Sequence, residues 1–311
     1  MVNHANISLN NISDIVIFIR VADAGSFSKA ADLLNLSRSA VGKSIQRLES
    51  RLSSRLIHRT TRKLSLTDEG LLFYQAAQRI LHDVEDAENM MLKRHHSPKG
   101  RLRITMPVAF GRLHLMPILL DFLDVYPDIA LEVIFSDDYQ DLIEDGIDLA
   151  IRFGQQKDSR LVQQRLAQHQ LLVCASPQYL AQFGQPHSPE DLLKHQQLIY
   201  LHQGRPVAWR FQVNAETIRY AAQGRIRLYD VQALTDTALA HFGLIQVGEF
   251  LVADSLAQGQ LVEVLSAFRP APQPICAVYP SKRHLSPKVS CLIDYIRQRW
   301  QQQPTWRESL K

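Results

Sequence analysis

Cysteine is scarce in this 311-residue chain, and no long hydrophobic run is present. The three cysteines, Cys174, Cys276 and Cys291, are odd in number and widely spaced, which argues against a disulfide framework and a CxxC-type zinc site. No uncharged apolar run approaches the roughly 20 residues that span a bilayer, and residues 1–6 lack the layout of a signal peptide. We therefore expect a cytoplasmic protein with no metal and no membrane partner.

The chain also lacks the short motifs of common catalysts. It has no Gly-x-Ser-x-Gly elbow, no phosphate loop ending in Gly-Lys-Ser/Thr, and no His-Glu-x-x-His pair. The adjacent His95 and His96 point apart and have no carboxylate cluster beside them, so they are expected to be solvated linker residues. We expect neither catalytic residues nor a cofactor.

Positive charge is concentrated in one short segment. Residues 38–63 hold eight Lys or Arg against one Glu, a local net charge of +7 in a chain whose total is +4. A basic segment in an otherwise near-neutral protein is expected where a phosphate backbone is bound. A solvated charged face is the alternative that the charge alone leaves open.

Residues 13–52 carry the periodicity of three helices. Apolar residues at i, i+3, i+4 and i+7 predict a helix over 13–24, a short one after the cap Ser26, and a third from the cap Ser37 to Leu52. The third has one apolar face and one basic, polar face, as in a helix-turn-helix whose second helix enters the major groove. The residues predicted to contact DNA here are Ser26, Ser37, Arg38, Ser39, Gly42, Lys43, Gln46 and Arg47.

Residues 56–66 follow as a wing with apolar, strand-like ends. At its tip, Arg59 and Arg62 are expected to reach the minor groove or phosphates, and Thr60 and Thr61 to donate to phosphate oxygens. Thr67 then caps a long helix with an apolar seam at heptad spacing. Packing on its own domain is one explanation, and pairing with a second copy is the one we favour. The seam residues are Phe73, Ala77, Ile80, Val84, Ala87 and Met91.

From residue 99 onward, strands alternate with helices, which is typical of an α/β sandwich. The pattern predicts strands at 102–106, 130–135 and 149–153, and helices at 113–122 and 141–144. Residues 95–100 are polar and contain Pro98 and Gly100, as expected of a hinge between domains.

These residues resemble the LysR-type bacterial transcriptional regulators. The resemblance lies in FIRVADAGSFSKAADLLNLSRSAVGKSIQRLESRL and LIHRTTRKLSLTDEG for the DNA-binding module, and in PVAFGRLHLMPILLDFLDVYP, DLIEDGIDLAIRFG, LLVCASPQYL and VYPSKRHLSPKVSCLIDYI for the ligand-binding module. It implies a multidomain protein: an N-terminal all-α winged helix-turn-helix with a long linker helix, then an α/β, periplasmic-binding-protein-like effector domain of two subdomains. We place the DNA-binding domain at 1–66, the linker helix at 67–94, the hinge at 95–100, and the subdomains at 100–167 plus 274–300 and at 168–273.

The chain departs from the commonest pattern of that family in two places. The recognition helix opens Ser37-Arg38-Ser39-Ala40-Val41-Gly42, where Ser-Gln-Pro-Ala-Val-Ser is usual. Arg in place of Gln favours guanine over adenine. Gly42 costs on the order of 1 kcal/mol of helix stability, which leaves tolerated drift and close approach to DNA as equal explanations. Residues 241–248 also differ from the usual Gly-Leu-Gly-Ile-Ala-Leu-Leu-Pro, so ligand identity does not carry over.

The two-subdomain fold implied by the resemblance places a ligand beyond the carboxyl ends of strands, near helix N-termini. Arg152 is the best candidate to pair with a carboxylate, with internal pairing to Asp148 or Asp137 as the alternative. Phe110 and Tyr200 are equally well explained as core, and Asp230 is better explained as a helix cap. The candidate effector residues are Val108, Ala109, Phe110, Ser136, Asp137, Arg152, Tyr200, His202, Asp230 and Val231.

We therefore expect a transcriptional regulator that binds double-stranded promoter DNA in a sequence-specific way and responds to a small organic anion. The alternatives are an architectural DNA-binding protein without an effector and a solute-binding protein. RNA polymerase is a candidate partner. The chain is expected to form a homodimer, and the family resemblance implies tetramers as well.

Overall fold

The computed structural model describes residues 9–59, 64–91, 98–154, 158–280, 285–300 and Trp306. The chain folds as two units, Met1–Arg94 and His95–Lys311. Among the helices of these residues, none is long and apolar enough to cross a lipid bilayer.

The first unit is a helical bundle with a small wing. Ser26 and Ser37 cap its second and third helices as predicted, since their Oγ atoms accept hydrogen bonds from Lys29 N at 3.4 Å and Ala40 N at 3.1 Å. Phe18, Val41, Ile45 and Leu48 are fully buried in its core. The elements are α1 (Leu9–Ala24), α2 (Phe27–Leu33), α3 (Arg38–Leu52), the hairpin β1 (Ile57–Arg59) and β2 (Leu64–Leu66), and α4 (Asp68–Met91).

The start of α4 is fixed against the wing. Thr67 Oγ1 accepts from Gly70 N at 2.8 Å and donates to Arg55 O at 2.7 Å, which confirms the predicted cap. Gly70 is required there because a Cβ at this position would lie 1.9 Å from Leu56 O. The long helix is therefore rooted in the DNA-binding fold.

The second unit contains two α/β subdomains, and the first is built on a five-stranded sheet in the order β4-β3-β5-β15-β6. The last strand in sequence, β15, runs antiparallel between β5 and β6. The strands are β3 (Gly100–Met106), β4 (Ile129–Phe135), β5 (Leu149–Phe153), β6 (Leu161–His169) and β15 (Gln273–Pro280). The helices are α5 (Val108–Phe110), a π-helical turn (Gly111–Leu115), α6 (Met116–Val125) and α10 (Pro287–Trp300).

The second subdomain is contiguous in sequence. Its main sheet has the order β13-β7-β14, beside a β12-β8-β9 sheet and a β10–β11 hairpin. The strands are β7 (Leu171–Ala175), β8 (Ile199–His202), β9 (Arg205–Pro206), β10 (Trp209–Val213), β11 (Glu216–Tyr220), β12 (Arg227–Leu228), β13 (Ile245–Gly248) and β14 (Val262–Val264). The helices are α7 (Pro177–Phe183), α8 (Val231–Leu239) and α9 (Glu249–Ala257), with 3₁₀ segments at Pro189–Lys194 and Ser266–Phe268.

The structure differs from the sequence expectations in three places. The helix predicted at 113–122 is part of a longer helical stretch that begins at Val108 and contains the π-helical turn. The helix predicted at 141–144 is wrong: Asp141 Oδ1 accepts from Ile143 N and Glu144 N, which favours a turn. Strand β6 continues to His169 before the chain crosses to the second subdomain, two residues past the predicted boundary.

Candidate DNA interface and effector cleft

The outer face of α3 is polar and exposed. Arg38, Ser39, Lys43 and Gln46 are exposed, while Val41, Ser44, Ile45 and Leu48 face the core. Within the described part of the chain, no hydrogen bond or ion pair engages the side chains of Arg38 and Lys43. The capping oxygens of Ser26 and Ser37 accept from the backbone, so their hydroxyl protons are oriented away from the helices they cap. This face offers donors without first breaking internal contacts.

Arg47 departs from the predicted set of DNA contacts. Its guanidinium donates to both carboxylate oxygens of Asp14, at 2.6 Å and 3.3 Å, and to Ser44 Oγ at 2.8 Å. Asp14 lies in α1 and is only 2% exposed, with Arg51 a further 3.8 Å away. A buried carboxylate needs such a partner, so Arg47 joins α1 to α3. Sequence reasoning missed Asp14, the one acid among the apolar positions of α1.

No contact within the described part of the chain requires a glycine at position 42. A Cβ added to it would meet no atom within 4 Å. Steric demand inside the protein therefore does not explain a glycine in the middle of α3, and the position is open towards the outer face.

Four predicted wing contacts fall outside the described part of the chain. These are Thr60, Thr61 and Arg62, together with the side chain of Arg59, whose backbone ends β1. They stay predictions.

The predicted seam of α4 divides into two parts. Phe73 and Ala77 pack in the core of their own unit, and the Phe73 ring lies 5.4 Å from that of Phe18, so these two are not free for a second copy. Ile80 and Val84 are 44% and 38% exposed and form the available part of the seam. The side chains of Ala87 and Met91 lie outside the described residues.

At the edge of the first subdomain, the N-terminus of α5 already holds a carboxylate. Asp137 Oδ1 accepts from Val108 N at 3.1 Å. The exposed backbone N–H that was expected to receive an effector anion is therefore bonded to a side chain of the same subdomain. An anion would have to displace Asp137 from this position.

Arg152 is likewise engaged within the chain. It is 6% exposed and donates to Ser136 O at 2.8 Å, Asp138 O at 3.1 Å and Thr105 Oγ1 at 3.2 Å. The Tyr139 ring centroid lies 5.9 Å from its guanidinium carbon. Burial lowers the pKa of Arg152, while the neighbouring acidic groups oppose this shift. Arg152 thus holds the loop 136–139 in place, and carbonyl oxygens satisfy it where Asp148 or Asp137 was the expected internal partner.

Tyr200 is the point where carboxylates of both subdomains come close. Burial raises the pKa of Tyr200 to about 12, and the charges of Asp137, Asp138 and Asp230 raise it in the same direction. Its ring stacks at 6.5 Å on that of His202. The first two acids follow β4, and the third precedes α8 in the second subdomain. The surroundings of Tyr200 are acidic.

The other predicted effector residues have structural roles. Phe110 is 1% exposed inside an aromatic cluster, and Ala109 is buried beside it, so neither forms an open wall. Asp230 caps α8, which begins at Val231, by accepting from Ala233 N at 2.7 Å, in agreement with the role that the sequence favoured. Within the described ranges, no group of three metal-ligating side chains occurs.

Comparison with known proteins matches both units. Residues 12–71 match the family described as bacterial regulatory helix-turn-helix protein, lysR family, and residues 95–301 match the LysR substrate binding domain. The transcriptional regulator CrgA of Neisseria meningitidis serogroup C (strain 8013) is 35% identical over 290 residues, covering 92% of this chain and 96% of CrgA. YhjC, an uncharacterized HTH-type transcriptional regulator of Escherichia coli (strain K12), is 33% identical, covering 93% of this chain and 97% of its own.

Solved structures agree over the same span. The structure of CrgA from Neisseria meningitidis has a TM-score of 0.60 at 33% identity and covers 92% of this chain and 98% of its own. The full-length Vibrio cholerae virulence activator AphB has a TM-score of 0.59 at 28% identity, with the same coverage. The predicted fold class is confirmed, and the helix-turn-helix match excludes a simple solute-binding protein. Because both modules match in order, the chain belongs to the LysR family of bacterial transcriptional regulators.

Proposed function

We propose that this regulator reads promoter DNA with the outer face of α3 and changes its DNA binding when a small effector enters between its two α/β subdomains. The observation that carries the first part is the exposed set Arg38, Ser39, Lys43 and Gln46 on a helix capped by Ser37. Arg38 is the base reader, since a guanidinium donates two hydrogen bonds to O6 and N7 of guanine. Because its partner is promoter DNA, we expect it to act in the cytoplasm, and RNA polymerase stays a predicted partner.

The DNA reading is tested by salt dependence. Each phosphate neutralised by Lys or Arg contributes about −0.9 to the slope of log K against log salt, and a dimer presents the +7 segment twice. We expect a steep negative slope for binding to promoter DNA in fluorescence anisotropy. A slope near zero would contradict DNA binding through this face.

The effector is proposed to carry a positive charge or hydrogen-bond donors towards Tyr200. The charges of Asp137, Asp138 and Asp230 raise the pKa of this tyrosine, whereas Val108 N and Arg152 already bind groups of the chain itself. The organic anion predicted from the sequence would have to compete with these internal hydrogen bonds, and it stays a prediction. A ligand shifts the equilibrium between subdomain arrangements only by its differential affinity for them, so a ligand at Tyr200, where charges of both subdomains act, would couple binding to movement.

Calorimetric titration with benzylamine, benzyl alcohol and benzoate tests the charge of the effector, because the three ligands share an aromatic ring and are positive, neutral and negative respectively. We expect benzylamine to bind most tightly and to weaken in Asp138→Asn, an exposed position whose change keeps the loop length and its hydrogen-bonding backbone. If benzoate binds more tightly than benzylamine, the effector is an organic anion, as the sequence predicted. Footprints on promoter DNA that no metabolite pool alters would favour an architectural protein without an effector.

The proposed dimer forms along the exposed part of the α4 seam. Ile80→Asp places a charge in an apolar contact, where burying an unpaired carboxylate costs several kcal/mol. We expect this variant to lose dimers in sedimentation and operator binding in anisotropy. Gln75→Asp, which alters an exposed position about 140° around α4 from Ile80, is the matched control and should leave both unchanged. An unchanged Ile80→Asp dimer would show that α4 pairs elsewhere.

A further inference from the structure

A tryptophan beyond the family match is buried where the two subdomains meet. The match to the substrate binding domain ends at residue 301, yet Trp306 is 1% exposed. Its ring centroid lies 5.2 Å from that of Phe110, 5.0 Å from His114 and 5.5 Å from Trp300. All three partners belong to the first subdomain, so Trp306 is packed on it.

The indole of Trp306 also reaches the second subdomain. Its Nε1 donates to Glu249 Oε1 at 3.2 Å, in a position where Glu249 is 6% exposed. Glu249 is the first residue of α9, which packs against β13 and α8 of the second subdomain. This hydrogen bond therefore crosses the boundary between the subdomains.

The hydrogen bond between Trp306 and Glu249 lies beside the two segments that connect the subdomains. Glu249 N donates to the carbonyl of Gln170, which stands between β6 and β7 in the first connection. The side chain of Gln170 donates to Pro270 O at 2.6 Å, just before β15 in the second connection. A rotation of one subdomain against the other turns about such connections, and Glu249 sits at this pivot.

A second contact crosses the boundary at the same place. His114, in the π-helical turn, donates from Nε2 to Phe250 O at 3.0 Å, and burial lowers the pKa of this histidine. The ring of Phe250 lies 5.1 Å from that of Phe110. The aromatic groups of the first subdomain thus surround the start of α9, and Trp306 adds a charge-assisted hydrogen bond to this contact.

We propose that Trp306 and Glu249 form a clamp that restrains rotation of the two subdomains and so sets the response to the effector. The clamp holds the arrangement in which the indole N–H meets the carboxylate. Trp306 is a positioning residue here, because its contacts in the described part of the chain are with Phe110, His114, Trp300 and Glu249 and not with Tyr200. The inference rests on the subdomain movement proposed above, but its test requires no effector and no DNA.

The test measures the distance between the subdomains in the full chain by pulsed electron paramagnetic resonance. Spin labels are attached through Asp124→Cys in the first subdomain and Gln182→Cys in the second, both exposed, in a Cys291→Ser background that leaves only the buried Cys174 and Cys276. Labelled chain is diluted with unlabelled chain so that distances within one copy dominate. Each variant is first shown to retain the wild-type thermal midpoint within a few degrees.

Trp306→Phe keeps an aromatic ring and removes the N–H donor. We expect a broader or shifted distance distribution, with the minor arrangement increased about tenfold, as for loss of a hydrogen bond to a charged group. Trp300→Phe is the matched control: it trims the same ring type in the same cluster, and Nε1 of Trp300 has no hydrogen-bond partner among the described residues. That variant should keep the wild-type distribution.

Changes at Glu249 provide an independent route to the same result. Glu249→Ala should also shift or broaden the distribution, and adding Trp306→Phe to it should change little more, because the two changes share the hydrogen bond between Trp306 and Glu249. Glu249→Gln keeps an oxygen acceptor and should restore a narrow distribution. The clamp is refuted if Trp306→Phe and Trp300→Phe behave alike, or if Glu249→Ala leaves the distances unchanged.

Discussion

The recognition face of α3 and the edge of the effector cleft both carry polar residues that the sequence marked as functional, but they differ in how those residues are bonded. On α3, Arg38 and Lys43 extend from the fold, whereas Arg47 is bonded to the buried Asp14. At the cleft, Arg152 and Asp137 are bonded to the loop and helix beside them. The first surface is ready to bind an anionic polymer, whereas a ligand in the second must compete with internal bonds.

A charged residue near a predicted site therefore does not identify a ligand contact until its partners within the chain are known. A guanidinium that satisfies buried carbonyl oxygens contributes to folding, and its removal leaves acceptors without donors. An exposed guanidinium without an internal partner can bind a ligand and lose no hydrogen bond within the protein. The following variants distinguish the two conditions, in order of decreasing effect.

Replacing Arg152 by Met should have the largest effect on stability. The change keeps an apolar stem and leaves the acceptors of Ser136, Asp138 and Thr105 without this donor in a site that is 6% exposed. We expect a loss of about 2–3 kcal/mol, since a buried acceptor left unpaired costs roughly 1–3 kcal/mol and Thr105 Oγ1 is buried, while the two carbonyl oxygens are partly accessible to water. Urea unfolding followed by tryptophan fluorescence measures it in the second unit alone, because all three tryptophans lie there.

The control for Arg152→Met is Arg160→Met. Arg160 is exposed and pairs with Asp141 and Asp158 on the surface, where water replaces the lost contacts. Its unfolding midpoint should stay at the wild-type value. If Arg152→Met instead unfolds at the wild-type urea midpoint, Arg152 is not needed for stability, and the predicted role as a ligand contact is favoured.

Arg47→Ala and Arg38→Ala should separate a fold contact from a base contact. Loss of Arg47 leaves the buried Asp14 with Arg51 at 3.8 Å, and we expect the first unit to lose about 1–2 kcal/mol, the low end for a charged hydrogen bond because Arg47 is 58% exposed. Arg38→Ala should keep stability and relax one base position by roughly 1–3 kcal/mol. Circular dichroism melts and binding to a library of operator variants give the two quantities. If Arg47→Ala changes base preference without changing stability, the assignment of Arg47 is wrong.

Gly42→Ala tests the open position on α3. Alanine should raise helix stability by up to about 1 kcal/mol, and the space around the new methyl group is empty within the chain. If DNA approaches this point closely, operator affinity should fall even as the melting temperature rises. Unchanged affinity would identify Gly42 as tolerated drift, the other explanation that the sequence allows.

His114→Gln should have the smallest effect, visible only as a change in pH dependence. Burial lowers the pKa of His114 below its ordinary value of 6.5, so the folded state favours the neutral ring. Stability from this residue is full above pH 6.5 and declines as the pH falls below it, because the unfolded chain takes up the proton first. Gln retains a donor for Phe250 O. The variant should therefore lose less stability than the wild type between pH 7.5 and 5.5 in urea titrations.

His195 also contributes to the loss of stability at low pH. Burial lowers its pKa in the same direction, so acid destabilisation is reduced in His114→Gln and not abolished. An identical pH dependence in wild type and variant would mean that His114 titrates normally in the folded state.

Local features were the ones that the sequence could predict. Each of the caps Ser26, Ser37 and Thr67 has a hydroxyl three residues before the backbone N–H that donates to it, so spacing alone identifies them. Two of the three partners of Arg152 are carbonyl oxygens of the loop 136–139, and a carbonyl has no residue type to recognise. Trp306 stands in a polar tail without periodicity, so its burial depends on contacts with residues almost 200 positions earlier.

The position of β15 has a consequence for synthesis of the chain on the ribosome. This strand lies between β5 and β6, yet it is made about a hundred residues after β6. The second subdomain, which is contiguous, can fold while β6 still lacks β15, the strand that it pairs with in the first sheet. During that interval, the nascent chain exposes unpaired strand edges of the kind that aggregate, which makes the first subdomain the expected substrate for chaperones.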